Sequence, residues 1–338
     1  MKKRNMMNDL AGIAGILATA PEVLLASHIS PDGDSIGSTI ALGQALTERG
    51  HKVLMVAEDP VPGLYCFLDW SDRFVSPEVI DHIPPVAVVL DCTDVERTGT
   101  RTAGLIRKAE VVINIDHHVS NNGFGQYQLV LPEAAAAGEV IYQLLGAMGQ
   151  KISSSVATAL YTALVMDTGC FQYSSTSAQT HRVAADLLEL GADTSTAHLN
   201  LFQSKPLVGL QLLGRALDTM RLSEDGRVAW IALPHGTITG LGATEDHIEG
   251  LINHPRSLEG VEIAILFKET KHGEVKVSLR SKTKADVNVL AGWFGGGGHV
   301  RAAGCTLKGD LSVVTRTVVA AASDYLKKLP PEGEGGRR

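Results

Sequence analysis

The stretch VLLASHISPDGDSIGS, residues 23–38, decides the fold of the first half of this chain. It begins with an apolar run, passes through the turn-forming sequence Ser-Pro-Asp-Gly-Asp, and ends where a segment with helical periodicity starts. It also places an imidazole, His28, and two carboxylates, Asp32 and Asp34, directly after the apolar run. Pro-Asp-Gly-Asp explains a turn by itself, so the rest of the sequence must show whether these side chains have a chemical role.

Three further apolar runs repeat this pattern of strand and helix. They are KVLMVA (52–57), VAVVL (86–90) and VVINI (111–115), and segments with helical periodicity such as IGSTIALGQALTERG separate them. Near-continuous apolar runs are typical of strands that are buried on both faces of a sheet. Their alternation with helices predicts a doubly wound parallel sheet, so the predicted fold class of the first domain is α/β.

The second half of the chain predicts a different and smaller domain. LNLFQSKPLVGLQLLGRALDTM has the pattern of one long amphipathic helix with a proline near its start, and we interpret it as a linker. RVAWIAL, VEIAILFKE and EVKVSLRSK then predict the strands of a mixed α+β domain. The predicted division is a first domain over 1–195, a linker helix over 196–222, a second domain over 223–329 and a disordered tail over 330–338.

Composition limits the class of protein and its environment. The 338 residues are 44% hydrophobic, enough for two domains with their own cores, and the net charge of −7 argues against binding of long nucleic-acid duplexes. The four cysteines have no Cys-x-x-Cys spacing, which is typical of a reducing cytoplasm rather than of a zinc or disulfide protein. The N-terminal segment, residues 1–22, predicts an amphipathic helix of a soluble protein, because its apolar part GIAGILA is too short to span a membrane.

Acids and histidines occur where the predicted strands of the first domain end. These residues are His28, Asp32, Asp34, Asp91, Asp116, His117 and His118. The carboxyl ends of parallel strands meet at one edge of a sheet, where such folds bind ligands, so these side chains should converge. Asp167, at the end of an apolar helical segment, is expected to join them. Because several carboxylates at close quarters repel each other unless cations neutralise them, the sequence predicts a metal site.

The donor types indicate the ion and the chemistry. Carboxylates favour Mg²⁺ or Mn²⁺, and imidazoles shift the preference towards transition metals, so a mixed set suits Mn²⁺ better, with Mg²⁺ as a substitute. About six ligands accommodate two ions. Two neighbouring ions are a recurring device for phosphate-ester hydrolysis, because they activate a water molecule and stabilise charge on the phosphoryl group.

A glycine run in the second domain, WFGGGGHVRAAG, is the other segment with a chemical signature. Glycine runs are usually flexible linkers, but this one lies inside a domain, between a predicted helix and a predicted strand. The alternative is a loop whose backbone N–H groups approach a phosphate closely. In that case the substrate-binding residues are Gly296, Gly297, Gly298, His299 and Arg280.

Together these motifs resemble the DHH phosphoesterase family. HISPDGDSIGS, VLDCTDVERTG, NIDHHVSNNGFG and MDTGCFQYSSTS occur in the family order, and VKVSLRSK with DVNVLAGWFGGGGHVRAAG resembles the DHH-associated C-terminal domain. The match covers nearly the whole chain. In its length and its glycine run, the chain is similar to the stand-alone NrnA-type proteins of this family, which are oligoribonucleases (nanoRNases) and phosphatases of adenosine 3′,5′-bisphosphate (pAp).

The resemblance implies a role for each residue of the site. Two Mn²⁺ ions would share Asp91 as a bridging ligand, the first with His28 and Asp32, the second with Asp34, His117 and Asp167. His118 would lie over the substrate phosphate as a catalytic residue, and Asp116 would orient the imidazoles. The glycine run, His299 and Arg280 would hold the nucleotide end, with closure of the two domains completing the site.

The activity that the resemblance implies is hydrolysis of short RNA oligonucleotides to mononucleotides and removal of the 3′-phosphate from pAp. A phosphodiesterase of linear or cyclic dinucleotides is the nearest alternative, and a catalytically silent nucleotide sensor is another. The departures from the family pattern bear on substrate preference; they are Ala136, Ala137, Gln172 and Ser175. The oligomeric state is left open, with a homodimer as one alternative because family members are often dimers.

Overall fold

The computed structural model describes residues 10–248 and 250–329, without the side chains of Asp246 and His299. The chain forms two compact units that divide between Ser204 and Lys205. The predicted disordered tail, 330–338, lies outside the described residues, as does the first part of the predicted N-terminal helix. Among the described helices, none combines the length and the apolar character that crossing a membrane requires.

The first unit is built on a six-stranded parallel sheet with the order β3-β2-β1-β4-β5-β6. Its strands are β1 (Glu22–Ala26), β2 (Lys52–Val56), β3 (Phe74–Val75), β4 (Val86–Leu90), β5 (Val111–Asp116) and β6 (Tyr127–Val130). Its helices are α1 (Leu10–Thr19), α2 (Gly33–Glu48), α3 (Thr100–Ile106), α4 (Ala137–Ala147), α5 (Ser154–Asp167), α6 (Ala178–Glu189) and α7 (Thr194–Gln203). The predicted α/β class and the four predicted strands are confirmed.

The direction of the strand order reverses between β1 and β4, which lie side by side in the middle of the sheet. Helices cover both faces, since a large core packs α1, α2, α4 and α5 on one face and a smaller core includes Ile106 of α3 on the other. In open α/β sheets the crevice at such a reversal is the usual ligand site. The polar turns after β1 and β4 lie at this position.

Close packing of α2 against α5 determines where the side chains of the site stand. A Cβ atom built at Gly37 of α2 would lie 2.4 Å from the carbonyl oxygen of Ala159 in α5, and one at Gly33 would lie 2.4 Å from Cγ of Met166. Only glycine allows the two helices to approach this closely. The first turn of α2 and the last turn of α5 are thereby brought together.

The second unit contains a mixed sheet with the order β11-β12-β10-β9-β8-β7, in which only the β8–β9 pair is parallel. Its strands are β7 (Arg221–Leu222), β8 (Val228–Leu233), β9 (Ile263–Glu269), β10 (Glu274–Ser281), β11 (Gly297–His299) and β12 (Ala302–Lys308). Its helices are α8 (Leu207–Asp218), α9 (His235–Gly240), α10 (Asn253–Ser257), α11 (Val287–Gly292) and α12 (Leu311–Lys328). The predicted mixed α+β architecture is confirmed.

The prediction of one long linker helix over 196–222 is wrong. Helix α7 ends at Gln203, α8 begins at Leu207, and Pro206 is the N-cap residue of α8 with extended backbone angles. Proline has no N–H for a helical hydrogen bond, and it disfavours the α conformation of the residue before it. The proline therefore separates two helices instead of lying near the start of one, and the boundary between the two units falls at this break.

Candidate metal centre

The predicted acids and histidines of the first unit do converge at the carboxyl edge of the parallel sheet. His28 follows β1, Asp91 follows β4, and the Asp-His-His triplet begins with the last residue of β5. Asp34 lies in the first turn of α2, and Asp167 is the last residue of α5. Potential ligand atoms lie within 4.8 Å of one another in three groups, which are His28, Asp32 and Asp91; Asp34, His117 and Asp167; and Asp91, Asp116, His117 and His118.

The first group surrounds His28. Its Nε2 atom lies 3.4 Å from Oδ2 of Asp91 and 3.7 Å from Oδ1 of Asp32, while Nδ1 lies 2.8 Å from the Ile29 carbonyl oxygen. Asp32 is also the N-cap of α2 and forms a capping box with Ser35, so the Pro-Asp-Gly-Asp turn has a structural function as well. Asp91 has a φ of 55°, a left-handed conformation that costs free energy for any residue but glycine. The turn after β4 holds this carboxylate in place.

The second group surrounds His117. Its Nε2 atom lies 3.4 Å from Oδ2 of Asp167, 3.6 Å from Oδ1 of Asp91 and 3.7 Å from Oδ2 of Asp34. The other ring nitrogen, Nδ1, lies 3.2 Å from the Ala134 carbonyl oxygen, which leaves Nε2 directed towards the three carboxylates. Asp91 therefore lies between His28 and His117, with one carboxylate oxygen near each ring.

Asp34 is fully buried, and the start of α4 holds its carboxylate. The backbone N–H groups of Ala137 and Gly138 donate to its two oxygens at 2.6 and 2.9 Å, and the Ser38 hydroxyl donates at 3.0 Å. The N-cap residue of α4, Ala136, has no side chain that could cap the helix. Asp34, which belongs to α2, therefore caps the start of α4. This cap from another helix explains how the chain tolerates alanines at the start of α4.

His118 is oriented by a chain of polar groups. Its Nδ1 atom lies 2.7 Å from Oδ1 of Asp116, and the amide of Asn121 donates to Oδ2 of the same carboxylate at 2.5 Å. Asn121 also donates to the Cys92 carbonyl oxygen at 3.0 Å and to the buried Asn114 side chain at 2.8 Å. Asp116 therefore contacts the His118 ring directly, and the two asparagines tie it to the turn that carries Asp91.

These asparagines were missed in the sequence. Asn114 lies inside an apolar run, VVINI, where a single amide was read as part of a strand, and Asn121 lies in the turn-like VSNNGFG. A buried amide requires hydrogen-bond partners, so a polar residue in an otherwise apolar central strand is the signal that could have indicated the network.

Burial and mutual charge shift the protonation of the centre. Burial lowers the pKa of His28, but contacts with the neighbouring aspartates outweigh burial and raise the pKa to about 11. The same balance raises the pKa of His117 to about 10. Burial raises the pKa of Asp91, but the two histidines outweigh it and hold the pKa well below its usual range. Burial, followed by the charges of other carboxylates, raises the pKa of Asp167 to about 7.

The residues present fit a bound metal. Oδ1 of Asp91 and Nε2 of His117 are buried, and neither has a hydrogen-bond partner in the described part of the chain. Buried polar atoms without partners cost free energy, and a carboxylate oxygen and an imidazole nitrogen are both good metal ligands. Without a cation, the carboxylates of the centre depend on protonated histidines for neutralisation. This Asp/His centre could therefore hold a metal.

The predicted substrate residues lie in the second unit. Arg280 of β10 and His299 of β11 both pair in register with Ala302 of β12, so the sheet places them in one row across three strands. The glycines also have a packing role, because a Cβ atom at Gly296 would lie 2.1 Å from the Gly304 carbonyl oxygen, and one at Gly298 would lie 2.6 Å from that of Ala302. The glycine run is thus a strand that packs closely on β12, and the interpretation as a flexible linker is excluded.

Fold and site together define a chain of two units, the first of which has a cluster of aspartates and histidines at the carboxyl edge of its parallel sheet. Residues 22–164 match the DHH family, N-terminal domain, and residues 228–328 match the DHHA1 domain. The chain belongs to the DHH family, as its motifs predicted.

Its relatives have more specific names. The bifunctional oligoribonuclease and PAP phosphatase NrnA of Thermus thermophilus is 34% identical over 310 residues, which are 90% of this chain and 90% of that protein. The cyclic-di-AMP phosphodiesterase PdeA of Listeria monocytogenes is 25% identical and matches 92% of this chain but 49% of that protein. The crystal structure of an exopolyphosphatase-related protein from Bacteroides fragilis has a TM-score of 0.87 at 25% identity and covers 94% of this chain and 95% of that chain.

Proposed function

We propose that this protein is a Mn²⁺-dependent phosphoesterase that hydrolyses short RNA oligonucleotides to mononucleotides and removes the 3′-phosphate from pAp in the cytoplasm. The observation that carries the proposal is the Asp/His centre at the reversal of the strand order, in a chain that matches the bifunctional NrnA of Thermus thermophilus over 90% of both lengths. An acidic chain with a net charge of −7 favours short substrates over long duplexes.

The proposed metal ligands are the six side chains that surround His28 and His117. Asp91 bridges two ions, the first also held by His28 and Asp32, the second by Asp34, His117 and Asp167. The mixture of carboxylate and imidazole donors supports Mn²⁺ over Mg²⁺. When bound, the ions would supply positive charge that acidifies the attacking water and stabilises the phosphoryl group.

His118 is the proposed catalytic residue outside the ligand set. Its Nδ1 atom contacts the buried carboxylate of Asp116, which fixes the orientation of the ring and directs Nε2 to the other side. In this position the imidazole would stabilise charge on the phosphate or donate a proton to it. Asn121 holds the second oxygen of Asp116 and so keeps this arrangement rigid.

The second unit is proposed to bind the nucleotide. Arg280 and His299 occupy one row of the sheet, and at Gly297 and Gly298 a phosphate could approach the backbone closely, whereas the Gly296 N–H already donates to the Ala291 carbonyl oxygen. Residues 297 and 298 are exposed, which supports this role. A substrate held by both its phosphate and its nucleotide end in this way must be short.

A second candidate function is hydrolysis of a cyclic or linear dinucleotide. The relative named cyclic-di-AMP phosphodiesterase PdeA favours it, since it matches 92% of this chain. The lower identity of 25%, against 34% for NrnA, makes it the weaker candidate. The metal chemistry would be the same, and only the walls of the nucleotide site would differ.

Turnover of a panel of substrates tests the proposal. The purified protein is given an RNA dimer, an RNA 24-mer, pAp and cyclic di-AMP, each with Mn²⁺ and with EDTA. Mn²⁺-dependent turnover of the dimer and of pAp, with little turnover of the 24-mer, is the expected result. Preference for the cyclic compound would assign the second candidate function, and equal cleavage of the 24-mer would contradict the short-substrate proposal.

A further inference from the structure

The central strand β10 presents a basic face within the second unit. Alternate residues Val275, Val277 and Leu279 point into the core between the sheet and helices α11 and α12. Residues 276, 278 and 280 therefore lie on the opposite face, because successive side chains of a strand alternate. Lys276 is exposed there, and Arg280 is partly buried.

Two lysines lie directly opposite each other on this face. Lys276 of β10 pairs in register with Lys268 of β9, and like charges at directly opposed positions destabilise a sheet. Lys268 is buried and has an ion pair with Glu245. Lys276 has no ion pair or side-chain hydrogen bond with any described side chain. Glu274, the nearest acid along β10, lies opposite Lys308 of β12 in the strand register.

The position of Lys276 is not explained by protection of a sheet edge. Exposed lysines commonly prevent edge strands from pairing with other chains, but β10 lies between β9 and β12 in the sheet. On the other side of Lys276, in β12, lies Thr306, which offers a hydroxyl group. An unpaired ammonium beside a second lysine and a hydroxyl is an arrangement that suits an anion.

The row of Lys276, Lys268 and Thr306 has a defined distance from the row of Arg280 and His299, which is the proposed nucleotide-binding row. Lys276, Ser278 and Arg280 follow one another along the same face of β10, at intervals of about 7 Å. The rows of Lys276 and Arg280 are therefore separated by two such intervals. The row between them contains Ser278, with Gly304 and Gly297 on its β12 side and the buried Leu266 on its β9 side. On the β12 side nothing bulky therefore separates the two basic rows, and a chain of nucleotides could lie there across both.

We propose that Lys276, supported by Lys268 and Thr306, binds a second phosphate of an oligonucleotide whose first phosphate is held at the row of Arg280. This inference rests on the proposed function. It identifies a residue that distinguishes oligonucleotides from single nucleotides, because pAp is too short to contact both rows. Lys276 contributes to binding of substrates of three or more nucleotides and leaves pAp unaffected.

Binding of labelled triadenylate with a 5′-phosphate, which carries three phosphates and can span both rows, to the full chain tests this proposal. Fluorescence anisotropy is measured in EDTA, so that no substrate is consumed, at several KCl concentrations. The Lys276→Ala variant should bind triadenylate about tenfold more weakly and should reduce the slope of log affinity against log salt by about 0.7 for the lost phosphate contact. Lys276→Arg should retain both affinity and slope, and competition by pAp should be the same in all variants.

Lys271 provides a matched control, because it lies exposed in the turn between β9 and β10 and carries the same charge. Lys271→Ala should leave triadenylate binding unchanged. The proposal is overturned if the two alanine variants behave alike, or if Lys276→Ala weakens pAp as much as triadenylate. Failure of the proposed function would appear separately, as absence of Mn²⁺-dependent turnover by the unaltered protein, because the binding assay requires no catalysis.

Discussion

Replacement of Gly37 by alanine should destabilise the first unit and weaken metal binding. The new Cβ atom would lie 2.4 Å from the Ala159 carbonyl oxygen and 3.1 Å from Cβ of Ala163. A carbonyl oxygen within α5 cannot rotate away, so α2 must move, and overpacking of this kind costs about 3 kcal/mol at the upper end of its usual range. Alanine regains about 1 kcal/mol through its higher helix propensity. The expected net loss is therefore about 2 kcal/mol, or about 4–8 °C in the melting temperature of a unit of this size.

Gly15 of α1 provides the matched control. It is exposed, and a Cβ atom there would meet nothing within 4 Å, so Gly15→Ala should stabilise the protein by about 0.5–1 kcal/mol. Thermal unfolding followed by circular dichroism in EDTA separates this effect from that of bound metal. Titration with Mn²⁺ should then show weaker binding to Gly37→Ala, because movement of α2 separates Asp34 from Asp167. A Gly37→Ala protein that melts as high as Gly15→Ala would refute the reasoning.

Three further predictions concern single charged groups. Asp91→Asn should reduce Mn²⁺-dependent turnover about a thousandfold or more and lower the bound metal per chain, as measured by kinetics and by elemental analysis; full metal content would contradict a bridging role. Because burial and neighbouring carboxylates raise the pKa of Asp167 to about 7, metal binding should release a proton there, in addition to those released from His28 and His117, and should become tighter between about pH 6 and pH 8; calorimetry in two buffers should show fewer protons released by Asp167→Asn than by the unaltered protein. Although burial raises the pKa of Glu58, hydrogen bonds from the backbone of Thr102 and Arg101 at the start of α3 outweigh it and lower the pKa. Its contribution should therefore be present at neutral pH and decline as the pH falls below about 4.5, so Glu58→Gln should cost about 1 kcal/mol at pH 7 and progressively less at lower pH in chemical unfolding.

The sequence predicted those parts of the fold in which local pattern and burial agree. The four central strands of the first unit are apolar along most of their length, so they were recognisable without their neighbours. The edge strands Phe74–Val75 and Tyr127–Val130 were missed because they are short and only partly buried. Their pairing depends on the finished sheet, as does the strand order, which no local pattern contains.

The candidate site was predictable because it follows a topological rule. Acids and histidines after parallel strands must meet at one edge, so the convergence of His28, Asp91 and His117 required no knowledge of distances. The backbone donors of Ala137 and Gly138 to Asp34 were not predictable, since they join elements far apart in the chain. The break at Pro206 was missed because the hydrophobic periodicity continues through it, although the helix does not.

The order of the proposed metal ligands along the chain has a consequence for biosynthesis. A ribosome delivers the chain from its N-terminus at roughly 5–20 residues per second, so His28, Asp32 and Asp91 emerge well before Asp167. A nascent chain that ends before α5 has the ligands of the first group but lacks one ligand of the second and the helix that supports α2. Capture of the two proposed ions must therefore wait until α5 has been made and has docked, and a fully loaded centre would report that the chain has folded as far as α5.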